Sequence, residues 1–232
     1  YLTGYADVDD QTVLKRPNLA ASNAQNLAVR TALASAGVGI EAVKYLDFYS
    51  CFPIAVSSIA EPLGLPTDGS RPLTLTGGLP FFGGPGNNYS MHAIATMVDK
   101  LRADPQARGL VVANGGYLSK HSAAVYACAA PANWQPLSSS AAQAEAKADT
   151  GIKVDERATG AATIETFAAI VNKGAPADGF VVARMQADNA RVMARVVKGD
   201  AATLAALFQE QVIGRPITVS LQGDLHQFAI AS

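Results

Sequence analysis

The sequence predicts an α/β unit over residues 1–130, a linker over 131–150 and a small antiparallel β-barrel over 151–232. Strand-like and helix-like apolar patterns follow one another through residue 130, the mark of a layered sheet with crossover helices. The stretch Gly77–His92 interrupts them with Gly77, Gly78, Gly83, Gly84, Gly86, Pro80 and Pro85, a density that predicts a shaped loop rather than helix or regular strand. The barrel follows from a third observation: after Gly151 come five short segments rich in strand formers, separated by turn signals of hairpin length.

Composition bounds the function before any motif is read. The chain has 232 residues, 49% of them hydrophobic and 16% charged, which is enough to bury a real core. A formal net charge of −1 gives no long-range field to gather nucleic acid or anionic lipid. No apolar run approaches the roughly 20 residues a membrane span needs, and no signal peptide precedes the first strand-like segment. Two cysteines, Cys51 and Cys128, make no disulfide framework, which fits a cytoplasmic protein. A chain opening at Tyr1, already in a strand-like run, reads as a piece of something longer.

Tyr1–Ala6 is strand-like, and Asn18 or Ser22 caps a helix whose Ala21, Ala24, Leu27, Ala28, Ala32 and Ala36 recur at helical spacing up to Gly37. Val43–Phe48 is rich in strand formers, and Pro53 sits at the first turn of a helix running to Leu63. Arg71–Leu75 reads as a strand feeding the glycine-rich loop. A helix follows over Tyr89–Leu101, with Met91, Ile94, Ala95, Val98 and Leu101 as its buried stripe. Gly109–Gly116 is a buried strand ending in a glycine turn, and Ser122–Ala129 returns from it as an antiparallel edge. Proline, serine, alanine and glutamine dominate 131–150, the composition of a linker. The barrel strands fall at Thr163–Val171, Gly179–Met185, Arg191–Val197, Ile217–Leu221 and Gln227–Ala231. The turns fall at Gly174–Gly179, Asp188–Asn189, Gly199–Asp200, Gly214–Pro216 and Gly223–Asp224, and one helix runs from Asp200 through Phe208.

Three junctions carry the functional signal: Tyr49-Ser50-Cys51-Phe52, Gly83-Gly84-Pro85 and Ala113-Asn114-Gly115-Gly116. With Leu46-Asp47-Phe48 before the first and Ala60-Glu61-Pro62-Leu63-Gly64-Leu65 after it, residues 1–130 resemble the C-terminal half of a thiolase, an acetyl-CoA acetyltransferase. They are more similar to the sterol-carrier-protein-type thiolases than to the degradative ones. The remaining residues resemble the additional C-terminal domain of bacterial thiolase-like proteins, a domain unlike a sterol carrier protein. The resemblance implies the thiolase fold, an acyltransferase of lipid metabolism, a coenzyme A ester as ligand and no covalently bound cofactor. It also implies a partner, the N-terminal thiolase half, which holds the nucleophilic cysteine and is not in this chain. A half that packs against such a partner is expected to expose a large apolar face.

The departures from the family pattern are at the catalytic positions. Where thiolases place a Gly-His-Pro imidazole, this chain has Gly84; where a second cysteine stands in a Cys-x-Gly turn, it has Ala113 and Asn114. The family's Asn-Glu-Ala-Phe or His-Asp-Cys-Phe box becomes Tyr49-Ser50-Cys51-Phe52, with a phenol at the first position. Losing one positioned acid or base removes about 10²- to 10⁴-fold in rate, so Tyr49, Cys51, Gly84 and Asn114 mark a degenerate site and the chain alone is expected to be inactive. Gly83, Pro85, Asn87, Asn88 and His92 remain as candidates for binding substrate, since neutral amides can hold a carbonyl without moving protons.

Blander readings stand beside these. His92 lies near an apolar stripe, where a histidine is more often structural, and Cys51 reads more readily as a small buried thiol than as a reactive one. His121 sits at a turn and His226 in the last hairpin; no histidine pair has ligand spacing, so no metal site is expected. Arg184, Arg191, Arg195 and Lys198 supply charge to the barrel without the aromatics that single-strand nucleic-acid binding needs. Two functions remain: an acyl-CoA-directed transferase of thiolase descent, of which this chain is the C-terminal half with degenerate motifs, or a non-catalytic thiolase-like module that binds a CoA ester or a partner protein.

Overall fold

The computed structural model describes residues 1–131, 136, 138–148, 151–209 and 211–230. The chain divides into two compact units, Tyr1–Thr150 and Gly151–Ser232. Both are mixed sheets with helices.

The first unit runs β1 (Leu2–Asp9), α1 (Asn23–Ser35), β2 (Tyr45–Phe48), α2 (Pro53–Ala60), α3 (Leu79–Phe82), α4 (Tyr89–Ala103), β3 (Arg108–Gly115), β4 (Lys120–Ala127) and α5 (Ser140–Ala148). Its four strands are ordered β1-β4-β3-β2. β2 lies parallel to β3, while β4 is antiparallel to both β3 and β1. Alternate residues of β3 face opposite cores: Leu110 and Val112 pack with α1, α2 and α5, and Val111 packs with α4. Ser22 caps α1, its Oγ accepting the Gln25 N–H at 3.2 Å, and Gly37 leaves the helix at φ +67.

Four expectations for this unit are corrected. Arg71–Leu75 is not a strand. It runs beside β2, where the Phe48 N–H donates to the Leu73 carbonyl at 2.9 Å, but Pro72 has no N–H and the Leu75 N–H goes to the Asp47 side chain instead of a neighbouring strand. The glycine-rich stretch does hold one helical turn, α3, between Gly78 at φ +96 and Gly83 at φ +98. The buried face of α4 is Tyr89, Ala93, Met97 and Leu101, while Met91 is exposed. That face is set by Gly109, where an added Cβ would collide with the Met97 sulfur. Finally, part of the expected linker is α5, which packs Ala142 and Ala146 into the α1 core.

The second unit runs β5 (Gly160–Asn172), β6 (Ala175–Met185), β7 (Arg191–Val196), α6 (Ala201–Gln209), β8 (Pro216–Gln222) and β9 (Leu225–Ile230). Its pairings close in the order β5-β6-β7-β9-β8. The ring is not antiparallel throughout: β7 and β9 run parallel through Arg195↔Gln227 and Val196↔Phe228. The cause is α6, which carries the chain from β7 across to β8 beside β5, so that the β8–β9 hairpin returns to β7 in the same direction. The turn expected over Gly174–Gly179 is tighter. Lys173 and Gly174, both at positive φ, form the two-residue loop, and β6 starts at Ala175. Inward side chains of every strand, among them Ile164, Val181, Ala183, Val192, Ile217, Val219 and Phe228, fill the core. The end of the last expected strand, Ala231, lies outside the described residues. No helix of the described residues is long and apolar enough to cross a membrane.

Candidate functional site

The three junctions of the first unit are built by local chemistry. After β2 the chain is pinned by the Tyr49 N–H, which donates to the Val112 carbonyl at 3.0 Å, and Pro53 then opens α2. The Tyr49 ring stands edge-on to Tyr89 with centroids 5.4 Å apart. Ser50 Oγ accepts the Leu79 N–H at 3.1 Å, tying the first junction to the second. The turn between β3 and β4 is gripped from outside the sheet: the Arg16 guanidinium donates to the Tyr117 carbonyl at 2.8 Å and the Leu118 carbonyl at 3.0 Å. Leu118 itself sits at φ +54, a conformation a leucine adopts only when held.

The first and third junctions, with the residues that follow the second, meet at one open cavity of about 450 Å³. Tyr49 from the first, Ala113, Asn114 and Gly115 from the third, and Gly86 and Asn87 from just after the second line it. Asn114 also places its Nδ2 3.9 Å from the Cys51 sulfur, a weak contact, and its Oδ1 is buried without a partner among the described residues. Cys51 is a half-buried free thiol and does not line the cavity. Gly83, Gly84 and Pro85 are exposed beside the cavity rather than in its wall. A Cβ on Gly84 would meet only the Leu79 side chain, at 3.2 Å. Asn88 pairs with His92, Nδ2 to Nε2 at 3.2 Å, and the Phe82 ring stands edge-on to that imidazole with centroids 5.4 Å apart.

Sequence reasoning missed the opposite wall. Asp7, Asp9, Lys120 and Ser122 reach the cavity from β1 and β4 because the register sets Asp7 against Ser122 and Asp9 against Lys120. The Ser122 hydroxyl donates to Asp7. No motif marks these positions; only strand pairing assembles them. Also missed was Asp47, almost fully buried under the glycine-rich loop, whose carboxyl is pushed above its ordinary range chiefly by burial.

His121 lies on β4 directly opposite Asn114, but its imidazole belongs to a buried network. Ser22 Oγ sits 2.5 Å from Asp10 Oδ2 and 3.0 Å from His121 Nε2. The serine has one proton, which goes to the carboxylate, so the imidazole Nε2–H is the donor to Ser22. Burial holds this histidine below its ordinary range, partly offset by the Leu118 carbonyl and Asp10. Among the described residues, no group of three His, Cys, Asp or Glu side chains could hold a metal ion.

Comparison with known proteins adds to this geometry. The solved structure of a monomeric SCP2-thiolase like protein type 1 from Mycobacterium smegmatis superposes with a TM-score of 0.92 at 39% sequence identity, covering 100% of this chain. The chain is thiolase-like. Residues 142–224 of this thiolase-like chain match the family of the thiolase-like protein type 1 additional C-terminal domain. The chain spans 50% of the Mycobacterium smegmatis chain it resembles. No curated protein matches. In the thiolase-like unit, Phe52, Ile54, Phe81, Met91 and Tyr117 are exposed apolar side chains at or next to the three junctions.

Proposed function

We propose that this thiolase-like chain contributes a binding site for an acyl-CoA or related thioester and does not itself perform thiolysis. The observation that carries the reading is convergence: Tyr49 and Asn114 from the first and third junctions, and Asn87 from just after the second, line a single cavity. Its wall offers a phenol, two amides and hydroxyls, groups suited to hydrogen-bonding the carbonyls and amides of a pantetheine thioester. Thiolysis needs a sulfur nucleophile, a stabilised oxyanion and a base for the α-proton. At the positions where the resemblance places an imidazole and a thiol, the chain has Gly84 and Ala113-Asn114, so the last two requirements lack their usual groups. Acetoacetyl-CoA thiolysis and binding of the same ester, measured in parallel on the longest natural polypeptide containing this chain, test the proposal. Binding without turnover is expected. Turnover at ordinary enzyme rates, roughly 1 to 10³ per second, overturns it.

A second reading, a non-catalytic scaffold for a partner protein, draws on the exposed Phe52, Phe81 and Tyr117. Absence of both binding and turnover in that assay favours it.

A further inference from the structure

The glycine-rich loop leaves the first unit and returns to it at one buried carboxylate. Asp47 Oδ2 accepts the Leu75 N–H at 2.8 Å, the Thr76 N–H at 3.1 Å and the Thr76 hydroxyl at 3.2 Å. Its Oδ1 accepts the Tyr89 hydroxyl at 3.3 Å. Thr76 ends the segment before the loop and Tyr89 begins α4 after it, yet their hydroxyls lie 2.5 Å apart. Thr76 Oγ1 also accepts the Gly78 N–H at 3.2 Å, so the order imposed by Asp47 extends into the loop. Between these anchors residues 80–88 are all exposed, and their own backbone hydrogen bonds are short-range, such as Gly83 N–H to the Leu79 carbonyl and Asn88 N–H to the Pro85 carbonyl. A glycine-rich segment loses more conformational freedom on ordering than any other, so its shape has to be imposed at its ends.

We propose that Asp47 is the positioning residue of the candidate site: its carboxylate clasps both ends of the glycine-rich loop, and Gly86 and Asn87 face the cavity only while that clasp is closed. The functional consequence rests on the binding reading above; the clasp itself does not. The groups that face the carboxylate are neutral: the Leu75 and Thr76 amides from the segment beside β2, the Thr76 hydroxyl, and the Tyr89 phenol from α4. All are donors.

Hydrogen exchange at the amides of Leu75, Thr76, Gly78 and Leu79, read by NMR on the ligand-free chain, tests this. Asp47→Asn is expected to speed exchange there about tenfold, the change that follows loss of a hydrogen bond to a charged group, while α1 and barrel amides keep their rates. Tyr89→Phe is expected to give a smaller acceleration at the same four amides. Acetyl-CoA titration is run alongside, and weaker binding by Asp47→Asn is expected. Should acetyl-CoA fail to bind the unsubstituted chain, the binding reading falls and the exchange data still judge the clasp. Should Asp47→Asn unfold, Tyr89→Phe decides alone. Parental exchange at the four amides in the folded variants overturns the clasp.

Discussion

The side-chain amide of Gln143 bonds both backbone groups of Asp9: the Asp9 N–H donates to Gln143 Oε1 at 2.8 Å, and Gln143 Nε2 donates to the Asp9 carbonyl at 2.9 Å. Ser139 Oγ accepts the Asp7 N–H beside it at 2.8 Å. Together they supply a partner to the outer edge of β1, which is the end strand of its sheet. An edge strand with open backbone groups is a template for pairing with another chain. Replacing Gln143→Ala is expected to lower stability by about 1–2 kcal/mol in urea denaturation. The same variant is expected to self-associate at concentrations where the parent does not, read by light scattering; unchanged values in both measurements would sink the edge-covering account.

Two glycines give a paired test of backbone against side-chain contact. A Cβ at Gly4 would strike the Ala32 backbone carbonyl of α1, which cannot give way without moving the helix. A Cβ at Gly109 would strike the Met97 thioether, a flexible end that can repack. Gly4→Ala is expected to cost about 3 kcal/mol and Gly109→Ala about 1 kcal/mol, both by chemical denaturation. The reverse order would show that β1 and α1 are not packed as closely as described.

His121 makes stability depend on pH with a defined sign. Its folded-state pKa is depressed, mainly by burial, below the ordinary value of 6.5, and the charged groups around it are Asp9, Asp10 and Arg16. The unfolded chain therefore binds the proton more readily. The contribution is fully present above pH about 6.5 and is lost as pH falls through the lower folded value. Urea midpoints from pH 7.5 to 5 should fall for the parent and fall less steeply for His121→Gln. Parallel slopes would remove His121 as the cause.

In the second unit, Glu165 lies where the β5–β6 register shifts, between Ile164 and Thr166, and its carboxylate receives Arg184 at 2.9 Å and Arg191 at 2.7 Å. Burial alone would raise the Glu165 pKa, but hydrogen bonds from Arg191 and Arg184 outweigh it and hold the carboxyl below its ordinary range. Arg191 is fully buried, so Glu165→Gln removes a counter-charge from a cation that cannot reach water. A loss of about 3–5 kcal/mol is expected for unfolding of this unit, followed by circular dichroism. A loss within 1 kcal/mol, roughly that of an exposed pair, would mean that the carboxylate contributes little.

What the sequence determined by itself is the part decided by neighbours along the chain. A cap for α1 at Asn18 or Ser22, Gly37 as its end, Pro53 at the start of α2, and the barrel strands with α6 between them rest on backbone preferences that operate over a few residues. The junction residues Tyr49, Asn87 and Asn114 were legible for the same reason, because each stands in or beside a short motif. The tertiary structure decided the rest. Arg71–Leu75 has strand composition, but Asp47, 28 residues before Leu75, takes the N–H that a ladder would have used. The face that α4 buries was settled by the space above Gly109, and α5 was placed against a strand edge 134 residues away. The parallel β7–β9 pair follows from where α6 delivers β8. Asp7, Asp9, Lys120 and Ser122 became one wall of the cavity only through the register of β1 on β4. Propensity and capping act within a turn of helix or a hairpin, whereas a buried carboxylate, a missing Cβ or a strand register acts on whatever the folded chain brings beside it.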